Sequence, residues 1–239
     1  MRYGKLELTP RLQLLADWIP SGAVFADVGT DHGYLPAWLI LHGRVNYAVA
    51  SDLRQMPLSH AKATAERCGV RRNISFRLGS GLSVVAPEEV DTIVIAGMGG
   101  ENIAAILSAA PWTADGRHTL LLQPMSRSES LRAFLAERGY AITREQLAED
   151  RDTLYPVMEA RGGKMSLSLG QIYGGAALNR DPLGDRYLIE KIVRLTSAVG
   201  GMNRSGDAAD AQRADSLREI IMQLLQMREE WRRGDSRTN

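Results

Sequence analysis

The stretch FADVGTDHGYLPAWL, residues 25–39, begins as an apolar strand and ends as a helix, with a turn rich in glycine and aspartate between them. A turn of this kind binds a phosphate through its backbone N–H groups, and a nearby carboxylate would repel that phosphate. Here Asp27 precedes Gly29, and Asp31 lies between Gly29 and Gly33. Three interpretations of the turn are therefore open: it binds a nucleotide, it binds a cationic cofactor, or it binds no ligand.

Strand and helix patterns alternate around this stretch. Apolar runs of Val, Ile, Leu and Ala predict strands at 23–28, 46–52, 74–79, 91–97 and 118–124. Helical patterns predict helices at 10–19, 34–42, 55–69, 101–109 and 126–139. Such runs are typical of parallel strands buried on both faces, and their alternation with helices indicates a right-handed, doubly wound, Rossmann-like α/β sheet. Segments 140–150 and 153–162 lack a full helix between them, which predicts an antiparallel hairpin at one edge of the sheet.

The character of the sequence changes after Gly163. Residues 163–182 are rich in glycine and weakly patterned, whereas 185–199 and 210–233 are strongly amphipathic. Two such helices joined by a linker at 200–209 predict an antiparallel helical hairpin that resembles a coiled coil. We therefore expect two domains, a Rossmann-like domain at 1–163 and a C-terminal helical hairpin domain at 164–239.

Composition excludes several classes of protein. The 239 residues are 44% hydrophobic and 24% charged, which is enough apolar material for a real core, and the net charge of +1 neither demands nor excludes a nucleic-acid partner. Cys68 is the single cysteine and the four histidines are scattered, so neither an internal disulfide nor a zinc site is expected. No signal peptide or membrane span is visible in the sequence, and we expect a cytoplasmic location.

The acidity of the glycine turn favours S-adenosylmethionine over a dinucleotide. The NAD fingerprint is G-x-G-x-x-G, and Asp31 occupies its middle glycine position, where a carboxylate would repel a pyrophosphate. S-adenosylmethionine has no phosphate and carries a sulfonium and an ammonium, which Asp27 and Asp31 can face. Gly29 and Gly33 complete the spacing D-x-G-x-x-x-G. The alternative is a helix N-terminus whose acidic residues only cap it and interact with its dipole.

Two further loops fit the same cofactor. Asp52 ends the second strand nineteen residues after Gly33, where an acidic residue binds ribose hydroxyls in dinucleotide folds, although it can equally cap the next helix. The segment LGSGL, residues 78–82, includes Ser80 and Gly81 and follows the third strand. In enzymes that use S-adenosylmethionine, this loop lies along the adenine of the cofactor. Taken alone, it is an ordinary Gly-Ser turn.

The fourth strand ends in the segment IAGMGGEN, residues 95–102. In enzymes of this fold that use S-adenosylmethionine, this end of the strand faces the transferred methyl group and the atom that receives it. Gly97 and Gly99, with the glycine that follows, would let a flat base approach the backbone, and Met98 can pack against that base. A glycine-rich helix start is the alternative interpretation.

His32 and Tyr34 follow the first turn and are candidates to border the pocket, with Tyr34 able to stack on a base. A capping histidine and a core tyrosine are the alternative interpretations for these two residues.

With these motifs in place, the chain resembles the bacterial tRNA (adenine-22-N1)-methyltransferases, the TrmK family. The resemblance is carried by TPRLQLLADWIPSG, ADVGTDHGYLP, GSGL, IAGMGGE, LLLQP and LRAFLAERGYAITREQLAED…LYPVMEA, which together span about residues 9–160. It implies a class I methyltransferase domain with a coiled-coil-like C-terminal domain, S-adenosylmethionine as cofactor and tRNA as substrate. The family usually has Asp where this chain has Ser80, and serine binds an adenine amine less strongly than a carboxylate does.

The resemblance implies methyl transfer to N1 of adenine 22 in the D-arm of tRNA. N1 carries a free lone pair, so positioning rather than a strong general base would drive the reaction, and the base must be unpaired or extruded. The expected positioning residues are Asp31, His32, Tyr34, Met98 and Gly99, and the expected cofactor-binding residues are Asp27, Gly29, Asp31, Gly33, Asp52, Ser80, Gly81 and Gly97.

The near-neutral chain would need a local basic face to bind tRNA. The candidates are Arg2, Lys5, Arg11, Arg71, Arg72, Lys191, Arg194 and Arg213. We expect a monomer without a metal. The alternatives are a methyltransferase that acts on another RNA, a protein or a small molecule, and a non-catalytic module that binds the cofactor or docks a partner.

Overall fold

The computed structural model describes residues 6–178, 180–205 and 207–235. The strands in these residues are β1 Phe25–Val28, β2 Ala48–Asp52, β3 Ile74–Leu78, β4 Thr92–Gly99, β5 Thr119–Ser126, β6 Tyr140–Asp150 and β7 Thr153–Gly162. The helices are α1 Pro10–Trp18, α2 Tyr34–Leu41, α3 Gln55–Arg67, α4 Gly100–Ser108, α5 Ser128–Glu137, α6 Leu169–Gly174, α7 Gly184–Ser205 and α8 Ala208–Asp235. Short 3₁₀ turns occur at Arg71–Asn73, Pro87–Glu89 and Pro111–Ala114.

The strands form one sheet in the order β3-β2-β1-β4-β5-β7-β6. β1 pairs in parallel with both β2 and β4, and β3 and β5 extend the parallel ladder outward. The chain therefore adds β2 and β3 on one side of β1 and then crosses to the other side to add β4 and β5, so the strand order reverses between β1 and β4. In an open α/β sheet this switch point opens a crevice at the carboxyl ends of the strands, where ligands bind. The doubly wound fold expected from the sequence is confirmed.

The edge of the sheet carries the predicted hairpin. β7 pairs antiparallel with β5, and β6 is the neighbour of β7 at the edge. Arg151 and Asp152 form the two-residue turn between these strands, with φ of 50° and 61°. Positive φ at both central residues is the geometry of a tight type I′ turn, which suits the twist of a hairpin.

The core lies on both faces of the sheet because successive side chains of a strand point to opposite sides. In β4, Ile93 and Ile95 join one apolar cluster, whereas Val94 between them joins the other. β5 repeats this pattern, with Leu121 on the face opposite to its neighbours. All of these side chains are fully buried, which explains why the sequence shows continuous apolar runs instead of alternation.

The chain divides into two compact units. One contains the described residues up to 144 together with 148–165, and the other contains 145–147 with the described residues from 166 onward. In the second unit, α7 and α8 pack around Leu188, Ile220 and Leu224. Arg228 Nε donates to Asp185 Oδ1 over 2.6 Å and ties the two helices together.

Two sequence expectations for this unit are wrong. The predicted linker at 200–209 is mostly helical, since α7 continues to Ser205 and α8 begins at Ala208. Glycine in a helix costs only about 1 kcal/mol, which the packing of a long amphipathic face overrides. Helix α6 lies within the segment that the sequence left unpatterned. Its Gly174 has no room for a side chain, because an added Cβ would lie 2.7 Å from Leu224 Cδ2.

Candidate functional site

The turn after β1 adopts the conformation that its glycines allow. Gly29, Asp31 and Gly33 have φ of 76°, 48° and 65°. The N–H groups of Gly29 and Thr30 both donate to the carbonyl of Ser51, each over 2.9 Å, which fastens the turn to β2. Gly33 is the N-cap of α2, and no side chain caps that helix. The interpretation of the acidic residues as simple caps of α2 is therefore excluded.

Asp27 is a carboxyl group buried at the end of β1. It is 6% exposed, and Thr30 Oγ1 donates to its Oδ2 over 2.6 Å. Burial raises the pKa of Asp27 to about 6; the Thr30 hydrogen bond opposes this effect, and the negative charge of Asp52 adds to it. A buried carboxyl with a perturbed pKa at a switch point indicates a binding site, and a cationic ligand would favour its charged form.

Asp52 ends the neighbouring strand β2 and is 7% exposed. Its Oδ1 accepts the backbone N–H of Arg54 over 2.9 Å, and Arg54 rather than Asp52 is the N-cap residue of α3. The second oxygen, Oδ2, has no protein partner among the described residues. This leaves it available for a ligand hydroxyl.

Large apolar side chains flank Asp52 without being buried. Leu53 is 67% exposed, Met56 is 69% exposed, and Leu78 at the end of β3 is 52% exposed. Ser80 is exposed in the next loop, and Gly81 there has φ of 55° and approaches Ile106. An acid that can bind hydroxyls beside exposed apolar side chains fits a nucleoside, whose ribose is polar and whose base is flat.

The end of β4 is a bulge rather than a regular strand. Its pairing with β5 shifts register around Met98, and Gly97 has φ of 78°. The N–H of Gly97 donates over 3.2 Å to Oε1 of Gln123, a fully buried residue of β5. Arg11 Nη1 donates to the same oxygen over 3.2 Å. The buried amide thus replaces the ladder hydrogen bond that the bulge removes.

Close packing brings this bulge against the first turn. A Cβ added at Gly29 would lie 2.7 Å from Met98 Cε, so the side chain of Met98 lies directly over Gly29. Gly100 opens α4, and a Cβ there would overlap the carbonyl oxygen of Arg127. Gly99, the N-cap of α4, approaches only the hydroxyl of Ser126. The expected cofactor turn and the expected base-facing loop therefore lie against each other.

His32 and Tyr34 lie at the same edge of the sheet. Their rings stack with centroids 5.3 Å apart, and His60 of α3 also stacks with His32, at 5.1 Å. His32 Nε2 also lies 3.6 Å from Asp31 Oδ2. Tyr34 is 38% exposed, so it is not the core tyrosine of the alternative interpretation.

The basic candidates are distributed over both units. Arg2 and Lys5 lie outside the described residues. Arg11 is partly buried, and besides Gln123 it contacts Asp150 over 3.4 Å. Arg72 and Arg194 are exposed. The remaining candidates have neighbours close to them in the sequence, with Arg71 over the Phe76 ring, Lys191 over the Tyr187 ring and Arg213 3.7 Å from Asp210.

Several residues of this region were not singled out from the sequence. Leu53 and Leu78 had a signal, because a large apolar residue at the carboxyl end of a parallel strand faces the ligand edge of the sheet. Gln123 is a polar residue at the end of an apolar run, which also marked it. His60 had no signal, since its partner His32 lies far away in the sequence.

Two searches of the described part of the chain gave negative results. No helix there is long and apolar enough to cross a membrane. Among the same residues, no group of three or more His, Cys, Asp or Glu side chains is placed to hold a metal ion.

Comparison with known proteins agrees with this geometry. Residues 8–158 match the family model described as "Methyltransferase domain". The tRNA (adenine(22)-N(1))-methyltransferase of Bacillus subtilis is 38% identical over 177 residues, which cover 71% of this chain and 74% of that protein.

Solved structures extend the match to nearly the whole chain. The crystal structure of the B. subtilis m1A22 tRNA methyltransferase TrmK is 31% identical with a TM-score of 0.84, covering 94% of this chain and 100% of that one. A Streptococcus pneumoniae protein in complex with S-adenosyl-L-methionine is 28% identical with a TM-score of 0.81, covering 93% of this chain and 100% of that one. The chain belongs to the TrmK family of class I methyltransferases.

Proposed function

We propose that this chain transfers a methyl group from S-adenosylmethionine to N1 of adenine 22 in the D-arm of tRNA. The observation that carries this proposal is the joined site, in which buried Asp27 and the glycine bulge of β4 meet through Met98 and Gly29. Membership of the TrmK family supplies the target base and the cofactor.

The residues of the turn fit this cofactor. Asp27 and Asp31 provide negative charge for the sulfonium and ammonium groups, and a phosphate would be repelled by the same pair. The available oxygen of Asp52 accepts ribose hydroxyls, and Leu53 and Leu78 cover the purine. Gly29, Gly33, Ser80, Gly81 and Gly97 complete the proposed cofactor-binding residues.

When bound, S-adenosylmethionine supplies an electrophilic methyl group, which the lone pair of adenine N1 takes while the sulfur keeps the electrons of the broken bond. No proton leaves N1, so the chain does not need a general base. Its task is to hold the base edge-on to the methyl group and to keep water away. The proposed positioning residues are Asp31, His32, Tyr34, Met98 and Gly99.

We assign the cofactor and the chemistry to residues 1–163 and tRNA docking to both this region and the helical residues 164–239. Arg71 and Arg72 are proposed for the first region, and Lys191, Arg194 and Arg213 for the second. Arg2 and Lys5 stay predictions for the same surface. We leave Arg11 out, because Gln123 and Asp150 already hold its guanidinium. A monomer in the cytoplasm, where tRNA is found, completes the proposal.

A pair of transcripts tests the substrate. The purified protein is incubated with methyl-labelled S-adenosylmethionine and an unmodified tRNA transcript that has adenine at position 22, and in parallel with the same transcript carrying guanosine there. Label in the first transcript alone supports the proposal. Equal labelling of both transcripts, or labelling of neither, contradicts it.

A further inference from the structure

Three aromatic rings form a continuous stack beside the cofactor turn. His32 stacks with both of the other rings, and its plane is inclined by 12° to the ring of Tyr34 and by 6° to the ring of His60. The three residues come from the turn after β1, the first position of α2 and the second turn of α3. Near-parallel rings at centroid distances of 5.1–5.3 Å are an offset stack, which is a favoured arrangement of aromatic groups.

Close backbone packing holds the glycine turn, which carries His32, against α3, which carries His60. An added Cβ at Gly33 would lie 2.8 Å from the Cβ of Ala61, so the turn rests directly against α3 at the residue that follows His60. Oδ2 of Asp31 lies 3.6 Å from Nε2 of His32. The stack is therefore fixed by the same glycine that shapes the cofactor site.

The stack is not part of a core. Tyr34 is 38% exposed, the side chain of His32 is 43% exposed, and His60 is exposed. Rings that serve only to stabilise a fold bury their faces, whereas these leave surface open beside the glycine turn that follows β1.

The proposed reaction creates a ligand for such a surface. An adenine that presents N1 to the methyl group must leave its helical stack, and the bases beside it lose a stacking partner. Unpaired RNA bases are commonly stacked on Phe, Tyr, Trp or His side chains, and this contact tolerates any base because each has a π face.

We propose that Tyr34, His32 and His60 form a stacking surface for an unpaired nucleobase of the RNA next to the target adenine, with His60 as its outer member. This inference rests on the proposed function, since it takes tRNA as the substrate. It adds to the site a residue of α3 that neither the motifs nor the cofactor requires.

Two substitutions of His60 separate stacking from bulk. His60→Leu keeps a side chain of similar size and removes the aromatic ring, whereas His60→Phe keeps a ring and removes the imidazole nitrogens. The matched control is His42→Leu, because His42 is also exposed and stacks on Trp38 at 4.0 Å, but at the other end of α2. Each variant is measured for tRNA affinity, methylation kinetics and S-adenosylmethionine affinity.

We expect His60→Leu to weaken tRNA binding and to lower kcat/KM for tRNA on the order of ten-fold, with unchanged cofactor affinity. His60→Phe should restore most of this loss, and His42→Leu should behave like the wild type. If the wild type methylates tRNA and His60→Leu is equally active, or if Phe fails as badly as Leu, the stacking inference is overturned while the proposed function stands. If the wild type does not methylate tRNA, the proposed function fails, and this inference fails with it.

Discussion

Replacing Asp27 with asparagine should make the protein more stable and a poorer binder of S-adenosylmethionine. The carboxyl is 6% exposed, and burial raises its pKa from 3.8 to about 6. This difference corresponds to roughly 3 kcal/mol of folding free energy lost when the group is ionised, since one pKa unit is about 1.4 kcal/mol. The amide oxygen of the substituted side chain would still accept the Thr30 hydrogen bond without a buried charge.

The effect must depend on pH, and its sign follows from the raised pKa. Above pH 6 the group is charged in both states, so the folded protein bears the whole desolvation cost. As the pH falls from 6 to 3.8 the folded state becomes neutral first, and the cost fades. We therefore expect the stability advantage of Asp27→Asn to be largest at pH 8, to shrink by pH 5 and to be nearly absent at pH 4.

Thermal unfolding of the full-length wild type and of the Asp27→Asn variant, measured from pH 4 to pH 8, tests this reasoning. About 3 kcal/mol is a ceiling, because the asparagine amide is still a buried polar group, so the expected rise in Tm at pH 8 is several degrees. Asp17→Asn, on the exposed face of α1, is the control and should change little. Calorimetric titration should show cofactor affinity reduced about ten-fold or more. A Tm at pH 8 that is unchanged or lower would refute the argument that the carboxylate is held against its desolvation cost.

Three further outcomes follow from other contacts. Gln123→Ala removes the acceptor of the Gly97 N–H, which shapes a loop proposed to contact both the cofactor and the base, so kcat should fall about ten-fold and the affinity for S-adenosylmethionine should fall as well; unchanged values of both would contradict the role of the buried amide. Gly33→Ala should destabilise the chain more than Gly43→Ala in denaturant titrations, because both have φ of 65° but only the first meets Ala61; equal losses would show that backbone strain alone matters. Hydrogen bonding from Arg228, aided by Arg232, holds the pKa of Asp185 below its ordinary value, so Asp185→Asn should lower the free energy of unfolding by about 1 kcal/mol at pH 7. This loss of stability should fade below pH 4, where wild-type Asp185 is protonated. A loss that stays constant with pH would exclude the ion pairs as its cause.

The sequence predicted the parts of this fold that depend on local pattern. The apolar runs of β4 and β5 identified parallel strands because both of their faces are buried, and two strands without a helix between them identified the edge hairpin. The conformation of the turn at 27–33 was also readable, since the spaced glycines Gly29 and Gly33 adopt positive φ. These features depend on residues that lie close together in the chain.

The missed features depend on contacts between distant residues. Gly174 lowers helix propensity, and the approach of Leu224 and Leu188, which lie far away in the sequence, explains why no larger residue fits there. Gly200 suggested a linker because the packing of α7 was not visible in the sequence. The contacts of Arg11 with Gln123 and Asp150, which lie more than 100 residues away in the sequence, were not visible from the local pattern. His60 meets His32 only after the sheet has formed.

The central claim is that the site places a methyl group on N1 of adenine 22. The most direct measurement is mass spectrometry of nucleosides and mapped fragments from an unmodified tRNA transcript after reaction with the purified protein. The account predicts N1-methyladenosine at position 22 with the wild type and its loss with Asp27→Ala. N6-methyladenosine, methylation at another position, or no tRNA product despite cofactor binding would contradict it.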